Sequence, residues 1–404
     1  MKLILTCLSF LYLHFLFAQT GCTDIQATNF SSNAIQNDGS CIYASSIASF
    51  SLKGTLPSSM SESSGIAYFN GDILTHNDSG NNAELFIIDS SNGNLKQTII
   101  IDNYSNTDWE DICADADYIY VGDFGNNEGN RQDLKILKIK RSDIGSESTI
   151  HVDAEAIHFS YADQTSYISS NTTNFDCEAF FSMGNYLYLF TKDSGDGKTR
   201  VYKISTTPST YILSYYTEYA INGLITGAAY NAAKNEVALI GYELDKYSSF
   251  IWILSDFEKD DFFTGNKRKF TAGNFHYWQT EGIAYDTINN KIFISCETTI
   301  FLHASLYVLD HTESVATAIQ PAYTISSHNI FPNPATEHIR ITNSEPITKI
   351  EIFDTMGRII YKESVSTTDY ELQLNHFTYM DGVYCIRIHG NNYQWQQSLI
   401  LKHE

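Results

Sequence analysis

The chain alternates short apolar runs with turns rich in Asn, Gly, Asp and Ser, and no stretch sustains the 3.6-residue apolar period of a helix. Thr, Ser, Ile and Tyr recur within the runs, which favours strands. The pattern predicts an all-β protein.

Between residues 46 and 320 the runs repeat as a unit. One signature, Gly65-Ile66-Ala67-Tyr68, returns as Gly227-Ala228-Ala229-Tyr230 and as Gly282-Ile283-Ala284-Tyr285, with weaker copies at Glu110–Ala114 and Glu178–Phe181. Each copy leads through a turn into a second apolar run (71–75, 118–122, 186–191, 236–242 and 291–295) and then a third (84–88, 134–139, 200–204, 250–254 and 306–309). Fourth runs lie at 97–101, 156–161, 214–220 and 267–271. The fifth unit lacks one, and residues 48–56 are placed to supply it from the N-terminus, closing a ring with no long open edge. Five units of four strands, each roughly 50 residues, spell a β-propeller. The long second unit leaves six blades as the alternative, and a β-sandwich with accidental repeats is the other. Small Gly and Ala residues in the first strand suit an inner strand crowded against the axis.

The start of the chain adds a compartment. Met1-Lys2, the apolar run from Leu3 to Phe17, and Ala18 before Gln19 read as a secretory signal peptide (1–18) cut after Ala18. The run is short for a bilayer span, so no transmembrane anchor is expected after its removal. Of seven cysteines, Cys7 lies in this leader. Cys22 and Cys41 flank a polar segment (19–45) and read as a disulfide worth about 3 kcal/mol in an exported protein. The segment resembles small modules of secreted Bacteroidetes proteins; Asp24, Asn29 and Asp38 read there as solvated turn formers or, alternatively, calcium ligands. Cys113, Cys177, Cys296 and Cys385 sit in strand-like runs and read as buried free thiols. The net charge of −22 disfavours nucleic acid and anionic membrane surfaces and suits divalent cations.

Each repeat places a polar residue where the first strand begins: Ser64, Glu110, Glu178, Thr226 and Glu281. In a propeller these positions form a ring around the axis. Three carboxylates pointing into one channel either hold protons or share a cation, and their hard oxygens suit Ca²⁺. A second acid closes the next strand of each unit: Asp78, Asp123, Asp193, Glu243 and Glu297. Because the two strands are antiparallel, both rings are expected on one face, as a candidate ligand site. Gly-rich loops follow at Ser79–Asn82, Gly125–Asn130 and Ser194–Gly197. Other catalytic patterns are missing: no G-x-S-x-G, H-E-x-x-H or C-x-x-C occurs. His76, near Asp78, reads as a solvated lone histidine in a loop, with a general base as the alternative.

Ser64 to Gly71, Glu110 to Gly122 and the Glu281-Gly282 pair resemble the soluble calcium-activated nucleotidases (apyrases). That resemblance implies five blades around a central calcium, with Ser64, Glu110, Glu178, Thr226 and Glu281 as the calcium positions. The Glu-Gly-Ile-Ala pattern also resembles phytase-like propellers. The arginines of the family's nucleotide face have no counterpart, since Ser79 and Lys192-Asp193-Ser194 stand at those places. Phosphate sites use such cationic clamps.

From about residue 326 to 404 the character changes. Phe331-Pro-Asn-Pro-Ala, Ile350-Glu-Ile-Phe-Asp followed by Gly357-Arg, and Gly382-Val-Tyr-Cys-Ile-Arg-Ile are separated by turn residues, predicting a small C-terminal β-sandwich. The segment resembles the C-terminal sorting domain of the Bacteroidetes type IX secretion system. That resemblance implies recognition by the secretion machinery and export to the cell surface or beyond. The combined expectation is a secreted propeller holding calcium and binding an extracellular ligand such as a glycan. The alternative is a calcium-dependent hydrolase of phosphate esters or nucleotides.

Overall fold

The computed structural model describes residues 19–243, 248–276, 279–299, 302–310, 329–354, 358–376, 378–390 and 394–402. The leader expected at 1–18 and the junction at 311–328 lie outside the described residues.

Five sheets follow one another along the chain, antiparallel except for a parallel strand at the outer edge of three, so the fold is a five-bladed β-propeller. Their inner strands are Ser63–Phe69, Trp109–Ala114, Cys177–Met183, Gly223–Asn231 and Thr280–Asp286. Each inner strand packs against the next, and the fifth packs against the first. The backbones come close enough that a Cβ on Gly65 would stand 2.5 Å from Asp111 Cα, and one on Gly227 2.3 Å from Glu281 O. That crowding is why the first strand of each repeat carries small residues.

The ring closes as the repeat pattern predicts. Ser51–Thr55 pairs antiparallel with Ser305–Asp310 and completes the fifth blade. Extra strands cap the outer edges. Thr149–Val152 joins the first blade, which absorbs the excess length of the second repeat without a sixth sheet. Thr210–Leu213 joins the second blade, and Ser46–Ala48 the fourth. The fourth strand of blade three is therefore only Thr217–Tyr219. Between blades, apolar side chains such as Trp109, Phe180, Phe181 and Phe250 are fully buried.

The Cys22–Cys41 disulfide is formed. Its module rests on blade four through Asn37 Nδ2, 2.7 Å from Asp256 Oδ2 and 2.8 Å from Asn266 Oδ1. Asp24, Asn29 and Asp38 are engaged in its turns: Asp24 accepts from Gln26 N and Tyr43 Oη, Asn29 from Ile42 N, and Asp38 from Ser40 N. Cys113, Cys177 and Cys296 are buried free thiols, whereas Cys385 is half-buried.

The C-terminal residues form a separate small β-domain around Ile339, Ile341, Ile350, Ile352, Ile386 and Leu399. The long strand His338–Phe353 pairs with Ile359–Gln373 on one side, and with Asn329–Phe331 and then Gly382–Gly390 on the other.

Candidate functional site

In all five blades the ladder between the first and second strands slips at the same place. Pairing jumps from Ser63 to Ile66, Trp109 to Asp111, Cys177 to Ala179, Ile225 to Gly227 and Thr280 to Ile283. The residues left out include Ser64, Glu110, Glu178, Thr226 and Glu281, the five positions singled out by the repeat. A bulge releases one residue from the pleat and re-aims its side chain. Here it does so around the axis.

Four of these five line one cavity of about 290 Å³ on the axis: Ser64, Glu110, Glu178 and Glu281. Thr226 is buried beside it, where its Oγ1 donates to Thr280 O of the next blade at 2.6 Å. Ser64 Oγ likewise donates to Glu110 O at 2.6 Å, so both hydroxyls tie neighbouring inner strands together. Beneath the cavity Asp111 is fully buried and accepts from Ile112 N, Phe180 N and Ala228 N at 2.8, 2.9 and 3.4 Å, joining blades two, three and four.

The second ring divides. Asp78 and Glu297 face the cavity, and Asp123, Asp193 and Glu243 do not line it. Asp123 is fully buried and pairs with Arg131 and Lys135, each at 2.8 Å. Asp193 pairs with Arg200, and Glu243 with Lys269 at 2.7 Å. Side chains alternate along a strand, so a difference of one residue in where the strand leaves its sheet changes which neighbour points inward. In blades three and four the preceding residues, Lys192 and Tyr242, line the cavity instead.

Asp176 also lines the cavity, and Asp108 stands at its edge. Carboxylate oxygens of Glu110, Asp176 and Glu178 approach within 4.8 Å of one another, as do those of Asp78, Asp108 and Glu110. A sequence signal for these residues was present. Asp108-Trp-Glu110, Asp176-Cys-Glu178 and Gln279-Thr-Glu281 each place a polar residue two positions before the ring residue, on the same side of an extended chain. The Gly-rich loop of blade two abuts the site, since a Cβ on Gly125 would lie 2.0 Å from Glu110 Oε1.

Six carboxylates therefore line the cavity, and Lys192 is the one Lys or Arg among its described lining residues. Lys192 pairs with Glu178 and lies 3.8 Å from Asp176. Burial pushes Glu110, Glu178 and Glu281 well above the usual carboxylate range, and neighbouring acids add to the effect. Burial, then the charges of Asp78 and Glu62, raise Glu297 to about 8. Burial and Asp78 hold Asp108 at about 6. Burial disfavours the Lys192 ammonium, but Glu178 and its acidic neighbours outweigh burial and keep it charged. His76 is not a solvated loop residue: it is fully buried against Trp109, and burial lowers it to about 4.

Fold and tail together define an exported propeller. Residues 329–402 match the family described as the secretion system C-terminal sorting domain. The chain is thus cargo of the type IX secretion system, exported to the cell surface or the extracellular space. No helix among the described residues is long and apolar enough to cross a membrane. No curated protein matches the chain.

Among solved structures, the chain is similar to PorZ, an essential surface component of the type IX secretion system of Porphyromonas gingivalis. The two are 13% identical over 84% of this chain and 44% of that one, with a TM-score of 0.33. The chain thus spans less than half the length of PorZ. It is also similar to the PQQ-bound aldose sugar dehydrogenase of Streptomyces coelicolor, with 11% identity over 64% of this chain and 97% of that one and a TM-score of 0.39. A quinonprotein alcohol dehydrogenase-like protein of Bacteroides thetaiotaomicron is 11% identical over 79% and 69%, with a TM-score of 0.30. At these scores the likenesses say nothing about activity.

Proposed function

We propose that the propeller is an extracellular binding module whose axial cavity holds a divalent cation, with calcium the best fit to its donors. The observation that carries this reading is the convergence, among the described residues, of six carboxylates and a single ammonium on one cavity. An all-oxygen donor set suits a hard cation, and calcium accepts irregular carboxylate shells completed by water. Glu110, Asp176 and Glu178, whose oxygens lie within 4.8 Å of one another, would be the principal ligands, with Asp78, Glu281 and Glu297 lining the same cavity. A cation held here would neutralise the cluster and leave positions open to the oxygens of a polyhydroxylated ligand such as a glycan.

The competing reading is a calcium-dependent hydrolase of phosphate esters or nucleotides. It draws on Glu297 at about 8 and Asp108 at about 6, two carboxyls able to carry a proton near neutral pH. Among the described residues it lacks a cationic clamp, because Lys192 is engaged by Glu178 and Asp176.

Calorimetric titration of the protein with calcium tests the cation, and phosphate release from nucleotides or phosphate esters tests the hydrolase. At about a hundred times its Kd, calcium should stabilise the fold by about 2.7 kcal/mol, or roughly 5–10 °C in melting temperature. The triple variant Glu110→Gln, Glu178→Gln, Glu281→Gln should not respond. An unchanged wild-type melt and no heat of binding would remove the cation. Calcium-dependent turnover abolished by Glu110→Gln would favour the hydrolase.

A further inference from the structure

A second cavity, of about 400 Å³, lies between the loops of blades two and three. The two cavities have neighbouring walls, because three segments each serve both. Asn127 lines the axial cavity and Glu128 the second; Asn171 lines the first, with Ser170 and Thr172 in the second; Ser194 lines the first and Gly195 the second. The segment between them is held rather than loose. Asn126 N donates to Asp176 Oδ1 at 2.7 Å, Ser170 N to Glu128 O at 2.9 Å, and Thr173 N to Ser194 Oγ at 3.0 Å.

The chemistry of the second cavity differs from that of the axis. Hydroxyls are the commonest polar groups, from Ser166, Ser170, Thr172 and Thr173. Asn174 adds an amide whose Oδ1 is buried without a partner among the described residues. Phe175 supplies an apolar surface, backed by Tyr161 at 5.5 Å between ring centroids. Arg200 is spoken for by Asp193 and Asp196, so among the described lining residues no free cationic group awaits an anion. Two carboxylates, Asp163 and Glu128, also line this cavity. Glu128 already accepts from Ser169 Oγ at 2.6 Å and Asn130 Nδ2 at 3.2 Å, which weakens its claim on a cationic side chain, and Asp163 is exposed and can accept from sugar hydroxyls. Mixed donors and acceptors beside an apolar face match the alternating hydroxyl and C–H surfaces of a neutral sugar.

We infer that the two cavities are successive subsites for one neutral oligosaccharide, running from the axis across the mouth of blades two and three. This deepens the binding role proposed for the axial cavity and rests on that reading. Joining two subsites through one chain makes the second contact intramolecular, so affinity should rise with chain length.

The test is calorimetric titration of the full chain, in calcium and in EDTA, with neutral gluco- and manno-oligosaccharides from disaccharide to hexasaccharide. A lysine-rich peptide is titrated in parallel. The expected result in calcium is a hexasaccharide binding at least about tenfold more tightly than the disaccharide. Thr172→Trp and, independently, Ser166→Trp should fill the second cavity and remove that gain. Both positions are exposed, so the variants should fold. A length gain untouched by either variant overturns the second subsite, and binding of the lysine-rich peptide alone overturns the sugar assignment. No saccharide binding overturns the inference, whatever calcium does to the melt. A length gain that persists in EDTA and is lost on Thr172→Trp upholds the second subsite while overturning the cation as a ligand contact.

Discussion

Two buried acidic groups in this molecule have opposite surroundings. In the C-terminal domain Glu351 is 5% exposed and is met by His389 at 2.8 Å, Lys349 at 3.1 Å and Lys362 at 3.4 Å. Burial alone would raise its pKa, but His389 and the two lysines outweigh it and hold the carboxyl at about 2. In the propeller six carboxylates share Lys192, and burial drives Glu110, Glu178 and Glu281 upward. The sorting domain carries its own counterions within one sheet. The propeller concentrates charge from several blades on its axis and, among the described lining residues, meets it with one counterion, Lys192, which is the physical ground for expecting an external cation there.

The sharpest way to widen the contrast is Lys192→Met. In chelator it strips the cluster of its ammonium and should cost about 3–5 kcal/mol of propeller stability, measured by denaturant unfolding. Calcium should restore most of that loss. A variant as stable as wild type in EDTA would mean that the carboxyls compensate one another by protonation alone.

A pH series comes next. Burial and neighbouring acids raise Glu297 to about 8 and Asp108 to about 6, above their ordinary 4.5 and 3.8, and the series is run first in EDTA. Carboxyls raised in this way stabilise the fold while protonated, so the melting temperature should fall as pH rises from about 4 to 8. Saturating calcium should flatten that fall, because ligating carboxylates are ionised in the folded protein. Identical slopes with and without calcium would place the ion elsewhere.

Glu351→Gln probes the other side of the comparison. A carboxyl lowered in the fold contributes stability above its ordinary value of 4.5, and loses it as pH falls towards about 2. The substitution should therefore cost the C-terminal domain about 1–3 kcal/mol at neutral pH and almost nothing near pH 2, with no response to calcium. The smallest effect is expected at Glu243, whose half-exposed pair with Lys269 lies outside the cavity. Glu243→Gln should alter stability by less than about 1 kcal/mol and leave calcium affinity unchanged.

Much of this was legible because repetition multiplies a weak signal. One Gly-Ile-Ala-Tyr run is an ordinary strand, but its return at Gly227 and Gly282 marks equivalent inner strands. The same spacing put Ser64, Glu110, Glu178 and Glu281 beside one cavity. The second ring was less legible. Asp78 and Glu297 point inward, whereas Asp123 and Asp193 are held by Arg131 and Arg200 from their own blades. A period-2 chain gives no warning of a one-residue difference where the strand leaves its sheet. Asp108 and Asp176 had a readable signature two residues before the ring, but that signature is absent from the fourth repeat, where Leu224 stands.

By itself the sequence determined the all-β repeat, the closure of the ring by the N-terminal strand, the Cys22–Cys41 pair and the secretion address, because each depends on spacing or short motifs within the chain. Only the tertiary structure decided which acids share a cavity, that Lys192 stands among them, that Thr226 turns its hydroxyl to the next blade, and that a second cavity adjoins the first. Those outcomes depend on bulges and on loops from different blades meeting across the ring. Residues more than a hundred positions apart become neighbours there, and their electrostatics exist only once they do.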